Sequence, residues 1–371
     1  MPLPLIERPE DVELPPPACT PTAHCIEPLE DRRWDGFVQR HPRSSIFHSS
    51  AWLSALSRTY GYKPIAYTTC PSGEELNNAI VLCRVESWLT GRRLVSLPFS
   101  DHCEPLVDTE QDLEVLSTAL DQEVRREKWR YLELRPLGRF DIAPSLHRRT
   151  LAYSFHRLDL APELALLFSN LQKSSIQRKI RRAEREGLKY CEGSNESLLD
   201  HFCGLFTLTR KRHGLPPPPR KWFVNLMEAF GENLKFRAAF KDAHLVAAMM
   251  TIHYKDTMFY KYGCSDAKYN YLGSMPSLYW RAIQDAKKLN CRFFDLGRTD
   301  IDQQGLIIFK NRWGATESKL NYFRCGTANE STHLLDLNNS SSAASVARRV
   351  LQHLPSSCLS VTGRILYRHS A

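Results

Sequence analysis

A chain of 371 residues is too long for one small core and suits two domains of ordinary size. Its 42% apolar and 25% charged content is that of a globular protein, which excludes a fibrous or wholly disordered chain. No apolar run approaches the roughly 20 residues that a bilayer-spanning helix needs. The opening MPLPLIERPEDVELPPP has no basic start and no long apolar middle, so it does not read as a secretory signal. Eleven cysteines, scattered singly and without a C-x-x-C pair, fit reduced thiols rather than a disulfide framework or a zinc site. A cytoplasmic protein is expected, with room for peripheral contact at the inner membrane face. The net charge of +9 is unevenly spread. Seven Lys or Arg and two Glu lie between Lys173 and Lys189, and four arginines stand without an acidic residue from Leu337 to Ala371. Either these are solvated helix faces, or they collect polyanions such as tRNA phosphates, a nucleotide-diphosphate sugar or anionic headgroups.

In chain order, residues 1–28 are proline-rich and read as a loose arm. Ser49 and Ser50 would cap a helix over 51–60, and strands are expected at 64–69, 79–86 and 93–97, the last two joined at Thr90-Gly91. Leu113, Leu116, Leu120 and Val124 mark one face of a helix over 113–128, and strands follow at 131–134 and 153–160. The second half repeats helices and then strands. Helices are expected at 162–171, 174–186 (stopped by Gly187), 198–212 and 221–230. An antiparallel meander follows at 235–240, 244–254 and 257–263, then a helix at 277–289 and strands at 293–296 and 319–324. A Ser/Asn-rich linker leads to an amphipathic helix over 343–354, within a tail expected to be loose or weakly docked. The predicted organisation is an arm (1–28), a first α/β subdomain (29–160), a second (161–326) carrying the chemistry, and a basic tail (327–371).

The stretch FFDLGRTDIDQQGLIIFKNRWGA from Phe293 carries the strongest chemical signal. An apolar strand ending on a Gly-Arg-Thr turn, then a helix bearing Phe309 and Lys310, would deliver Asp295, Arg298, Phe309 and Lys310 to one rim. Ligands collect at such strand ends in α/β proteins. The segment from Phe259 to Asp285 is similar to the GNAT acyltransferase scaffold, where a turn and helix N-terminus hold the pyrophosphate of coenzyme A. Here that turn, from Asn270 to Pro276, has one glycine and a proline that removes a donor, so a tight coenzyme A clamp is poorly supported.

Five longer stretches point to one family: SLPFSDHCEPL from Ser96, IQRKIRRAEREGL from Ile176, FTLTRKRHGLP from Phe206, the run from Tyr262 to Asp300, and IIFKNRWGA from Ile307. Across residues 34–326 the chain resembles the FemAB family, and within it the short bacterial branch associated with surface-polysaccharide systems. The resemblance implies an α/β (α+β) fold of two GNAT-like subdomains side by side, with mixed, mostly antiparallel sheets and flanking helices. It also implies transfer of an aminoacyl or acyl group to an amine of a peptidoglycan or exopolysaccharide precursor, nucleotide- or lipid-linked. The donor would be aminoacyl-tRNA or acyl-CoA, with no permanently bound cofactor and no metal. The coiled-coil arm of some staphylococcal members is missing, which puts their mode of tRNA docking in doubt.

In that reaction a neutral amine attacks an ester or thioester carbonyl, and a cation beside the developing oxyanion is worth about 3 kcal/mol. Lys310, in the phrase resembling the family's Phe-Lys element, is the expected cation. Phe309 either stacks on a terminal adenine or simply packs. Arg210 and Arg212, ending a helix at His213-Gly214, suit an anionic acceptor or merely favour the helix C-terminus. Tyr260 and Tyr262 share a face by strand alternation and take the same role, core or pocket. Arg178, Lys179, Arg181 and Arg182 are expected to meet phosphates. His102 beside Asp101 is the candidate base, or else a structural loop histidine. Asp295 is expected to order the Gly297-Arg298 turn. Two rivals stand: the same fold fed by acyl-CoA, and a non-catalytic module binding nucleic acid or a membrane surface.

Overall fold

The computed structural model describes residues 22–138, 147–326 and 342–369. The first half runs β1 (His24–Ile26), α1 (Trp34–Arg40), α2 (Ser50–Tyr60), β2 (Lys63–Thr68), β3 (Ile80–Ser87), β4 (Gly91–Val95), α3 (Glu110–Arg126), β5 (Tyr131–Leu134) and β6 (His147–Asp159). The second runs α4 (Leu164–Asn170), α5 (Arg178–Arg185), β7 (Lys189–Gly193), α6 (Glu196–Arg212), α7 (Arg220–Phe230), β8 (Leu234–Lys241), β9 (His244–Tyr254) and β10 (Thr257–Ser265). It continues with α8 (Ser274–Lys288), β11 (Phe293–Asp300), α9 (Gln304–Asn311) and β12 (Thr316–Gly326), followed by α10 (Ser342–His353) and α11 (Ser356–His369). Several boundaries follow from local chemistry. Side chains of Ser49, Thr109 and Asn195 accept backbone N–H groups at the starts of α2, α3 and α6. Gly187, at φ +64°, follows the end of α5 in the left-handed region.

The strands form one sheet in the order β1-β2-β3-β4-β5-β12-β6-β11-β10-β9-β8-β7. Read outward from its centre, the order is a duplication. Strands β2 to β5 and β8 to β11 each make an antiparallel meander that ends in a parallel pair, β4 with β5 and β10 with β11, bridged by α3 and α8. The sixth strands are exchanged. β6 leaves the first half and pairs with β11, while β12 leaves the second half and pairs with β5. The two then pair with each other over eleven registered positions, from Thr316 opposite Arg157 to Gly326 opposite His147. The strand expected at 153–160 to close the first half therefore lies among second-half strands. Alternation along a strand shows which face is apolar, but not which edge the strand will join.

Further bonds reinforce this junction. Glu133 of β5 is buried between Arg135, whose Nη2 lies 2.7 Å away, and Arg324 of β12. Burial would raise the Glu133 pKa, but the two guanidiniums outweigh it and hold the carboxyl down at about 2. On one side of the sheet α2 packs on α7, with Trp52 edge-on to Trp222 at 5.2 Å and both fully buried. Each such aromatic removes enough surface from water to stabilise by about 4–6 kcal/mol.

Both chain ends depart from expectation. Residues 1–21 of the predicted arm lie outside the described residues, but His24–Ile26 adds an edge strand antiparallel to β2. The tail helix expected at 343–354 is present as α10, and an unforeseen α11 follows it. The tail is docked rather than loose: Leu359 is fully buried, and the Tyr62 hydroxyl donates to the Tyr367 carbonyl at 2.9 Å. Thr90 Oγ1 and Arg93 Nη2 both donate to the His369 carbonyl, at 2.7 and 2.9 Å. At Gly363 an added Cβ would collide with the Pro217 carbonyl oxygen, so only glycine permits this approach.

Glu133→Gln leaves buried Arg135 and half-buried Arg324 without their carboxylate and is expected to destabilise the fold by roughly 3–5 kcal/mol. The check is the urea midpoint at neutral pH; an unchanged midpoint would show that the exchanged strand does not depend on this cluster.

Candidate functional site

Two bulges open the sheet at its functional end. On β10 the register with β9 shifts between Tyr260 and Tyr262, so Lys261 is the extra residue. On β11 the register with β6 shifts between Asp295 and Arg298, placing Leu296 and Gly297 opposite His156 alone. The parallel pairing of β10 with β11 stops just there, at Phe259 opposite Asp295. Beyond that point the two strands are no longer paired and leave a fork. The Gly-Arg-Thr segment predicted as a turn after a strand ending at 296 is thus part of a longer strand, bent within it. Gly297 takes φ +71°, and a Cβ there would come within 3.1 Å of the Asp101 carboxylate. Both conditions call for glycine.

The β10 bulge also reverses an expectation about Tyr260 and Tyr262. Strict alternation puts them on one face, but the extra residue turns them to opposite faces. Tyr260 packs against Tyr279 of α8 at 4.8 Å between ring centroids, whereas Tyr262 packs between Phe206 and Phe223 and accepts from Trp222 Nε1 at 3.0 Å. Burial pushes the Tyr260 hydroxyl up to about 12.

Lys310, at the end of α9, is 2% exposed and reaches into the fork. Its Nζ donates to the carbonyls of Gly297 at 2.8 Å and Arg298 at 3.2 Å. An ammonium has three donors, so one N–H is without a protein acceptor among the described residues. Burial lowers the Lys310 pKa to about 8, with repulsion from Arg298 and Lys261 adding to the fall and Asp101 and Asp295 opposing it.

The first half supplies the facing group. Asp101 follows the Ser96–Phe99 segment and forms an ion pair with Lys261, whose side chain is 3% exposed. Lys261 itself crosses into the aromatic core of the first half, 4.7 Å from the Phe47 ring centroid and 5.3 Å from that of Trp52. Burial would raise the Asp101 pKa, but Lys261, Arg298 and His102 outweigh it and hold the carboxyl below its ordinary range. The Tyr322 hydroxyl of β12 donates to the Asp101 carbonyl at 2.6 Å. Arg298 lies over Tyr153 at 4.3 Å and Tyr322 at 5.3 Å, and pairs with Asp300 at 3.5 Å. Three cations, Lys261, Arg298 and Lys310, thus surround Asp101 and Asp295.

His102 is buried edge-on to Phe47 and Phe155, with Nε2 3.1 Å from Asp295 Oδ2. The other Asp295 oxygen accepts the Gly297 N–H at 2.6 Å. His102 therefore links the first-half loop to the bulge of β11, and Asp295 orders the Gly297 backbone. Phe309 packs against Tyr279 and Trp313 at 5.5 and 6.1 Å.

Other expected site residues lie apart from this centre. Arg210 bonds to the Pro216 carbonyl and the Tyr367 hydroxyl, and so is committed to tail docking. Arg212 donates to the Ser265 carbonyl. Arg178 lines an open groove on α5 with Lys173, Arg181 and Arg185, while Arg182, on another side of the same helix, lies over Tyr271 and pairs with Glu186. A cavity of 520 Å³ lies elsewhere, between α6, the Pro217–Pro219 segment and α11. The sequence places Lys261 on the strand beside the groove without assigning it a role, and gives no sign of Tyr322. A lysine inside an otherwise apolar strand was the available signal for the first. Tyr322 had none, because β12 reaches the site only through strand exchange.

The turn before α8 is closed. An added Cβ at Gly273 would collide with the Lys179 carbonyl of α5, and Ser274 is buried. Backbone from α5 thus packs directly against the turn at the start of α8.

Comparison with known proteins agrees with this geometry. Residues 171–305 match the acetyltransferase (GNAT) domain family. Over 145 residues the chain is 25% identical to UDP-N-acetylmuramoylpentapeptide-lysine N(6)-alanyltransferase of Weissella viridescens; the match covers 38% of this chain and 43% of that relative, less than half its length. FemX superposes with a TM-score of 0.62 at 14% identity, over 81% of this chain and 96% of FemX. L-PGS of Bacillus licheniformis gives 0.51 at 12% identity, over 81% and 93%. At such identities these structures speak for the fold, two GNAT subdomains set side by side. Residues 171–305 thus match a GNAT domain, and the chain as a whole is similar in fold to FemX.

Proposed function

We propose that this protein is an acyltransferase that moves an aminoacyl group from aminoacyl-tRNA to an amine of a cell-envelope precursor. The observation that carries the reading is the buried Lys310 ammonium in the β10–β11 fork, held by two carbonyls with one N–H to spare. A carbonyl oxygen that gains charge as the amine attacks, or the departing 3′-oxygen of the tRNA, would take that remaining hydrogen bond. Asp101, from across the junction, and Lys261 of β10 face the same centre and are suited to orienting the acceptor amine. No covalent enzyme intermediate is invoked. The amine forms the new C–N bond, the ester C–O bond breaks, and the amine's proton passes to solvent or substrate.

Two features favour tRNA over acyl-CoA as donor. The turn before α8 has one glycine, loses a donor at Pro276 and is packed against by α5 backbone, and α5 carries a groove lined by Arg178, Arg181 and Arg185 beside Glu184, suited to a phosphate backbone. For the acceptor, the Weissella viridescens relative is named for a UDP-linked muramoylpentapeptide lysine. A precursor of that kind, nucleotide-linked, is the acceptor proposed here.

Charged tRNA and acyl-CoA, each supplied with UDP-linked muramoylpentapeptide, separate the donors by mass spectrometry of the product. The expected result is product with charged tRNA alone, and product with acyl-CoA alone would reverse the donor assignment. Lys310→Ala is expected to lower kcat by about 10²–10³-fold, the size of one lost oxyanion donor. Wild-type turnover by this variant would remove Lys310 from the chemistry.

The Lys310 pKa gives a second test. The folded value of about 8 lies below the ordinary 10.5, so the unfolded chain holds this proton more tightly through that window. Stability from this group therefore rises as pH increases from 8 towards 10.5. Lys310→Met should remove on the order of 1–3 kcal/mol of that pH dependence. Parallel urea curves for wild type and variant across the window would show that the lysine is not perturbed.

A further inference from the structure

The two tail helices carry the same outward pattern. Val346, Arg349, Val350 and His353 of α10 recur fifteen positions later as Val361, Arg364, Ile365 and Arg368 of α11. The spacing i, i+3, i+4, i+7 sets each group on one helix face. All eight residues are exposed. The opposite faces are docked: Leu351, Leu359 and Gly363 are buried, Gln352 donates to the Arg212 carbonyl, and Arg210 reaches the Tyr367 hydroxyl. Four branched apolar side chains are thus exposed along the two docked tail helices, interleaved with arginines; Val361 and Arg364 also border the cavity between α6 and α11.

We infer that these two tail helices are a docking surface for an anionic phospholipid bilayer. Apolar side chains on a helix lying in the interface enter the headgroup region while its cations meet lipid phosphates. Charge selects the occupant. The sequence has no acidic residue from 337 to 371, so no carboxylate on either helix offsets Arg349, Arg364 and Arg368, and exposed Arg212 lies beside α10. A second copy of this chain would set arginine against arginine and is disfavoured on that ground. Nucleic acid would satisfy the arginines but leave four branched aliphatic side chains without an apolar partner. An anionic membrane surface meets both halves of the pattern. The inference goes beyond the proposed acyl transfer, and its readout requires no turnover.

The full chain is cosedimented with vesicles of phosphatidylcholine, with and without phosphatidylglycerol. Binding to the anionic vesicles alone is expected, weakening as salt is raised. R349E/R364E should lower the apparent affinity by about thirtyfold or more, from two lost arginine–lipid attractions. V361N/I365N should also weaken binding while leaving the melting temperature near wild type, since both side chains are exposed. Equal binding to neutral and anionic vesicles, or undiminished binding by either double variant, would overturn the inference. So would a wild-type dimer that V361N/I365N converts to monomer, or tRNA binding lost in R349E/R364E where no vesicle binding occurs.

Discussion

The pairing of β6 with β12 is the constraint on which the rest depends. Each strand is made by one half of the chain and used by the other, so neither half completes its sheet alone. Eleven registered pairs at the centre turn two duplicated lobes into a single rigid frame. That frame allows Asp101, from a first-half loop, to sit against the Gly297 backbone of β11 within van der Waals distance of where a Cβ would stand. An ordinary inter-lobe interface would leave such distances to domain motion. Here ladder hydrogen bonds and the Glu133–Arg135–Arg324 cluster fix them.

Within that frame the fork between β10 and β11 gathers the residues of the candidate site. Each bulge costs local pairing, and the carbonyls of Gly297 and Arg298 are turned toward Lys310 instead of a neighbouring strand. Burial then does what exposure would not. An ammonium among two carbonyls, two carboxylates and two other cations has its proton affinity lowered to near neutrality, where small changes in a bound ligand's charge alter its state. The same crowding keeps Asp101 ionised. The site works as a network, and Lys261 is as much part of it as Lys310, although it serves the first-half aromatic core at the same time.

The helices around the sheet have been put to uses that a bare GNAT scaffold does not require. α5 closes the turn before α8 and shows its arginines to solvent. The tail helices take up Arg210 through Tyr367 and pack on the Pro216–Pro217 backbone.

Periodicity alone made most elements legible, because a buried face imposes its repeat on the sequence whatever the tertiary arrangement. The meander at β8 to β10, the capped helix α2 and the helix bearing Phe309 and Lys310 all lie close to where the pattern put them. The mostly antiparallel α/β class and the GNAT match at 171–305 were equally legible, since they rest on local words and spacing. Edge choice and register were not. Nothing in residues 147–159 says that they will cross to the second half, and nothing around Tyr260 says that Lys261 will bulge and turn the two tyrosines apart. Pairing energies depend on which strand is available beside a given edge, a property of the assembled sheet. The sequence by itself determined the elements, the class and Lys310 as the cation to watch; only the tertiary structure decided that Asp101 and Lys261 share its centre, because that meeting is made by contacts between residues 160 positions apart.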